Sequence, residues 1–187
     1  SEFLQKSVIS NNRISRAGAG HHLIKLHAPE FSGSSFSWLV GVYSEKNHIS
    51  DNRCIGDVTS WLLSIGPQNN IKDERVRNIV IERNHLTVGA GFRIAMLLNV
   101  TSTTVRNNIV DTSGSDVYLS VFDVTVRGIE PPPNDVHIYN NTIFSSTSGS
   151  ELVIVTVGVG ATNTVVKNNL AYYPGSWPGG VFVKDLG

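Results

Sequence analysis

One short phrase recurs along this 187-residue chain: an apolar residue, two variable positions, Asn, one variable position, then a second apolar residue. Ile9, Asn12 and Ile14 form the first copy, followed by Ile49, Asn52 and Cys54, and by Ile81, Asn84 and Leu86. Val105, Asn108 and Val110, then Ile138, Asn141 and Ile143, and finally Val166, Asn169 and Ala171 complete the series. In the last copy Asn168 with Val165 and Leu170 fits equally well. Successive Asn lie 40, 32, 24, 33 and 28 residues apart, so a basic coil of about 24 residues carries insertions of variable length. A unit that returns at such spacing is one turn of a solenoid, which buries its apolar side chains only by stacking on its neighbours.

Each copy carries a partner signal. Strand-like runs precede most of the Asn phrases: SWLVGVYS (37–44), WLLSIG (61–66), FRIAMLLNV (92–100), VYLSVFDV (117–124) and ELVIVTVGV (151–159). Val, Ile and Thr together supply 50 residues and Ala only 7, a balance that favours pleated strands over helices. No amphipathic stretch is long enough to cover a sheet, which excludes alternating βαβ folds. The prediction is an all-β chain, a right-handed parallel β-helix of about six coils with inserted loops, with a β-sandwich as the runner-up. The repeated Asn has a physical task in such a stack. A tight bend needs a residue tolerant of left-handed backbone angles, and the Asn amide bonds to its equivalents one coil above and below. The apolar residues three before and two after each Asn then point inward as aliphatic columns, each Ile or Val contributing roughly 1.5–3 kcal/mol on burial.

Length and charge bound the remainder. The chain suits one domain spanning residues 1–187, and its 15 basic and 15 acidic side chains cancel, which argues against nucleic acid as a partner. Apolar runs are far shorter than the ~20 residues a membrane span requires. Cys54 is the only cysteine, so there is no internal disulfide, and a small buried apolar role fits it. The opening Ser1-Glu2-Phe3 and an ending inside an apparent strand read as an excised fragment. No capping helix is recognisable at either end, so coil ends covered by flanking sequence or by a second subunit are expected.

The phrases VISNNRI (8–14), VIERNHL (80–86), VHIYNNTI (136–143) and VVKNNL (165–170) resemble the parallel β-helix repeat of the pectate-lyase-like superfamily. That group contains pectate and pectin lyases, polygalacturonases, alginate lyases, mannuronan epimerases and phage tailspikes. The resemblance covers nearly the whole chain and specifies architecture rather than activity. It implies a groove for extended sugar chains on the runs named above, a polysaccharide partner, and a place outside the cell or on its surface. The sequence carries no polygalacturonase-like cluster of aspartates and no pectate-lyase or epimerase signature.

If alternate groove residues face outward, Arg93, Asn99, Tyr118, Ser120, Asp123 and Glu151 share one surface. Uronate lyases need a cation to neutralise the carboxylate and a base to remove a proton. Arg93 is the best placed base, and Asp123 a candidate ligand for a metal such as calcium. Glycosidases need two facing carboxyls, for which Asp123 and Glu151 on adjacent coils are the nominated pair. Tyr172, Tyr173 and Trp177 in YYPGSWPGG (172–180) could stack on sugar rings, although a flap over the last coil explains them as well. His21, His22 and His27 with Glu30 match no zinc motif and read as surface side chains. The loops 67–78 and 128–135 are further recognition candidates. Two glycosylation-type triplets, beginning at Asn99 and Asn140, carry no weight in a chain rich in Asn and Thr, and the Gly-rich stretches lack phosphate-loop lysines. Three functions stay open: a lyase, hydrolase or epimerase, a non-catalytic polysaccharide-binding or cell-surface β-helix, and a structural spike that forms homo-oligomers.

Overall fold

The computed structural model describes residues 4–17, 23–26, 44–57, 61–66, 76–89, 94–114, 119–126, 132–145, 152–173 and 181–187. Six coils follow one another, each passing through sheets A, B and C in that order. The first has β1 (Val8–Ser10), β2 (Arg13–Ala17) and β3 (Ile24–Leu26). The second has β4 (Ser44–Glu45) and β5 (His48–Ser50) in sheet A, then β6 (Arg53–Asp57) and β7 (Trp61–Ile65). The third has β8 (Val76–Arg77) and β9 (Val80–Glu82), then β10 (His85–Val88) and β11 (Ile94–Leu98). The fourth runs β12 (Thr101–Arg106), β13 (Ile109–Asp111) and β14 (Leu119–Val124). The fifth runs β15 (Asn134–Tyr139), β16 (Thr142–Phe144) and β17 (Leu152–Val157), and the sixth β18 (Val165–Lys167), β19 (Leu170–Tyr172) and β20 (Val181–Asp185).

Every strand pairs in parallel with its counterpart one coil away, so the chain is a parallel β-helix. The repeat sets the register directly. Ile49, Ile81, Val105 and Ile138 stack in sheet A, and Cys54, Leu86, Val110 and Ile143 in sheet B, each completely buried. The counterparts on the two end coils, Ile9, Ile14, Val166 and Ala171, are only partly buried. The interior opens at the first coil into a cavity of about 460 Å³ lined by Leu4, Ile9, Ile14 and Leu26 among others. On the sixth coil Val183 remains 41% exposed.

The Asn form a continuous ladder. Each ladder Oδ1 from Asn52 onward accepts both the backbone N–H and the side-chain Nδ2 of the Asn one coil before it, as Asn108 does from Asn84 (3.0 Å each). Nδ2 also donates to the carbonyl of the apolar residue in the preceding coil: Asn52 to Ile9, Asn84 to Ile49, Asn108 to Ile81, Asn141 to Val105 and Asn169 to Ile138. The last rung is thus Asn169 and not Asn168.

The bend itself belongs to a different residue than the sequence implied. Asn11, Asp51, Arg83, Asn107, Asn140 and Asn168, each just before a ladder Asn, take the left-handed backbone. The ladder Asn need their side chains inside the coil, so the αL residue must be the one whose side chain points out. A second corner lies five residues upstream in every coil, at Lys6, Lys46, Asn78, Ser102, Asp135 and Asn163, and all twelve φ values fall between 49° and 58°. Only half of these twelve are Asn; Lys, Arg and Ser accept the conformation at a cost that stacking must offset.

Sheet C departs from strict alternation. Leu62 and Leu63, Ala95 and Met96, Val121 and Phe122, and Ile154 and Val155 are consecutive pairs that all belong to the core. Pairing skips the first of each: Ile94 meets Ser120 and Met96 meets Phe122, with Ala95 and Val121 left between. The kink recurs on every long strand of the sheet, which is why LVIVTV does not read as a clean alternation. A further difference concerns the run at 37–44. Its residues 37–43 lie outside the described residues, Ser44 begins β4 in sheet A, and the sheet C strand of the first coil is Ile24–Leu26.

Candidate functional site

Two consecutive inward residues in β7, β11, β14 and β17 put the outward positions of these strands three apart. Ile94 and Leu97, Ser120 and Asp123, and Val153 and Thr156 are buried yet separate from the core cluster. Asp123 therefore stands in the outward column Ser64, Leu97, Asp123, Thr156 and Lys184, and Ser120 in the neighbouring column. The Ser120 and Thr156 hydroxyls are 2.9 Å apart, and Asp123 is 7% exposed. Asn99 is also buried at the end of β11, where its N–H donates to the Ile65 carbonyl (3.0 Å). Arg93, Tyr118, Glu151 and Trp177 lie outside the described residues, as do His21, His22, His27 and Glu30. Among the described residues no group of His, Cys, Asp and Glu could hold a metal ion.

The outward face of sheet B changes along the axis. Arg13, Arg53 and His85 occupy its first coils in one column, which continues as Ile109, Thr142 and Leu170. Beside it, Asp111, Phe144 and Tyr172 stack coil upon coil. The Phe144 and Tyr172 rings are stacked, with centroids 5.7 Å apart and planes at 18°, and Tyr172 remains 55% exposed. Leu170 and Ile109 are exposed next to them. Tyr172 thus stands on a strand of the last coil, with Tyr173 half-buried beside it.

Among the described residues sheet A carries the densest polar network, and no single stretch of sequence announces it. Parallel register aligns Ser10, Ser50, Glu82, Arg106, Tyr139 and Lys167 in one outward column. Glu82 is the hub: it accepts from Arg106 Nε (2.6 Å) and from Arg83, and lies 3.1 Å from His48 Nε2. Burial opposes ionisation of Glu82, but hydrogen bonds and charge from Arg106 and Arg83 outweigh it and hold the carboxyl below its ordinary range. Arg83 also grips Asp51 with two bonds (2.8 and 2.9 Å), which lowers the Asp51 carboxyl as well. Arg77 and Glu45 form a similar pair at 2.7 Å. Further along, Arg106 donates to the Tyr139 hydroxyl (3.3 Å), and Lys167 Nζ sits 5.4 Å from the Tyr139 ring centre. Aligning the coils on their ladder Asn would have revealed this column, since its members all stand two residues before that Asn.

Cys54 is sealed in the core, and burial pushes its thiol up to about 11, so it is no nucleophile at neutral pH. No helix is long and apolar enough to cross a membrane among the described residues. No family model, curated protein or solved structure matches the chain.

Proposed function

We propose that the chain is a polysaccharide-binding β-helix of the pectate-lyase-like kind, working outside the cell or on its surface. It holds an extended sugar chain along its coils. The observation that carries this reading is the stacked Phe144–Tyr172 pair on the open face of sheet B, more than half of Tyr172 standing in solvent. A rigid aromatic face complements the apolar face of a pyranose, and the pair fixes the ring before a ligand arrives, which lowers the ordering cost of binding. Strands repeat about every 4.8 Å along the axis, so a polymer of regular units meets equivalent rows of groups. Exposed Thr142 supplies a polar neighbour for the ligand's hydroxyls.

A second reading is catalysis at sheet C, favoured by one feature: Asp123 is a carboxylate on the outward column, in register with Thr156, whose hydroxyl meets that of Ser120. In that reading Arg93 and Glu151 are its partners in lyase or glycosidase chemistry and calcium a candidate cofactor. Retention on a glycan array, with unsaturated-uronate absorbance and reducing ends followed in parallel, separates the two. Binding predicts retention without turnover and a loss of about tenfold in affinity for Tyr172→Ala. Turnover abolished by Asp123→Ala supports the enzyme, and retention of no glycan at all removes both.

A further inference from the structure

We infer that this chain docks on a second copy of itself head to tail, the sixth coil of one copy seated on the first coil of the next. A contact of this kind does not close on itself, so its repetition builds a filament along the helix axis. The inference stands apart from the polysaccharide reading. Its basis is that the two outer coils carry opposite halves of one hydrogen-bonded contact.

Between successive coils the earlier ladder Asn donates through its N–H and Nδ2 to the Oδ1 of the later one. Its carbonyl accepts the N–H of the residue after the later Asn, as Asn141 accepts from Leu170 (2.8 Å). Asn12 spends its N–H and Nδ2 on Asn52 and Ser10, which leaves its Oδ1 without a donor among the described residues. Asn169 spends Oδ1 on Asn141 and one Nδ2 hydrogen on Ile138; its N–H, its carbonyl and the other Nδ2 hydrogen have no partner among the described residues. Arg13 N–H is equivalent to the Arg53 N–H that donates to the Asn12 carbonyl (2.8 Å), and so faces the open side of the first coil. With Asn169 of one copy set one rung before Asn12 of the next, these groups satisfy one another. Asn169 N–H and Nδ2 donate to Asn12 Oδ1, and Arg13 N–H donates to the Asn169 carbonyl.

The same register matches the apolar interiors. Val166 falls over Ile9, Ala171 over Ile14 and Val183 over Ile24, and those three isoleucines line the cavity that opens at the first coil. Among the described residues nine large apolar side chains are exposed, and six of them belong to the sixth coil: Val165, Leu170, Tyr172, Phe182, Val183 and Leu186. A solenoid kept monomeric presents a polar outer face on its terminal repeats, and this coil does the reverse. A partner of unrelated fold would cover that apolar coil without setting an amide over Asn12 Oδ1; a second copy does both. One column brings like charges together, Lys184 over Lys25, so salt, which screens them, favours assembly.

Sedimentation velocity and electron microscopy of the full chain over a concentration series test this. Mass rising with concentration, and filaments one β-helix wide, are expected. Arg13→Pro removes the outer N–H at the first residue of an edge strand, where proline is tolerated, and Val183→Lys sets an ammonium on the apolar end of the sixth coil. Each alone should raise the concentration for half-assembly about tenfold or more, with the dichroism of the dilute monomer unchanged. Mixed, the two should form one-to-one dimers and nothing longer, since each keeps the end that the other has lost. Val8 and Val165 are exposed and meet across the contact, which gives a test free of folding effects. Val8→Glu with Val165→Glu should disperse the filament, and Val8→Glu with Val165→Lys should restore it. A chain that stays monomeric at every concentration overturns the inference. Assembly that survives Arg13→Pro or Val183→Lys, a mixture that stays monomeric, or equal assembly of the two charge pairs overturns it too.

Discussion

Replacing Asn108 with Ala removes the fourth of the six rungs of the ladder, and the cost can be worked from its bonds. Asn108 Oδ1 accepts the Asn84 N–H and Nδ2, and its own Nδ2 donates to Asn141 Oδ1, the Ile81 carbonyl and the Arg106 carbonyl, all at 3.0 Å. The variant leaves the Asn84 N–H buried with its acceptor gone, worth about 1–3 kcal/mol, and gives up the others at about 1 kcal/mol each. Some partners keep a second bond: Asn84 Nδ2 still reaches the Ile49 carbonyl, and Asn141 Oδ1 still accepts the Asn108 N–H. A loss of roughly 3–6 kcal/mol follows, comparable with the whole stability of a typical domain. The control is Asn12→Ala at the first coil. There the side chain is exposed and the backbone N–H keeps its bond to Asn52 Oδ1, so only Nδ2 contacts are lost, at roughly 0.5–1 kcal/mol. Urea denaturation followed by far-ultraviolet dichroism, with hydrogen exchange to see whether coils open separately, measures both. Equal costs for the two variants would refute the assignment of stability to buried rungs.

Two further outcomes follow from particular side chains. Because the Glu82 carboxyl titrates below its unfolded value of 4.5, its contribution is fully present above that pH and is lost as pH falls through the lowered folded value. The stability difference between the wild type and Glu82→Gln should therefore be largest near neutral pH and shrink below 4.5 in urea titrations; a constant difference would contradict the ion-pair account. Gly66 has φ +103°, and a Cβ there would lie 2.0 Å from the Asn99 carbonyl oxygen. Gly66→Ala should cost several kcal/mol, on the order of 3 or more, by thermal denaturation, and a neutral effect would show that the β7–β11 edge is looser than described.

What could be read in advance follows from which features have a local signature. The ladder was legible because its bonds demand one side chain at a fixed offset from two apolar residues, and insertions between coils leave that offset intact. Asn168 and Asn169 could not be separated by pattern, since both neighbours fit; only the inward amide decides. The sheet C strands were found, but not their kinked facing, because Leu62–Leu63 and its equivalents are simply apolar pairs until pairing shows which is skipped. Tyr172 stands out in the sequence by its aromatic character, whereas its partner Phe144 lies 28 residues earlier and meets it only through coil register. The Glu82 network was missed for the same reason: His48, Glu82 and Arg106 are 34 and 24 residues apart and become neighbours only once the coils are stacked.

Nuclear Overhauser spectroscopy on the isotope-labelled chain bears most directly on the stacked ladder. The side-chain amide protons of Asn52, Asn84, Asn108 and Asn141 should exchange slowly and connect in series, each to the next coil, with the inter-strand pattern of parallel pairing. Rapidly exchanging, mutually unconnected amides, or close α-proton contacts between neighbouring strands as in antiparallel sheets, would contradict the ladder and everything built on it.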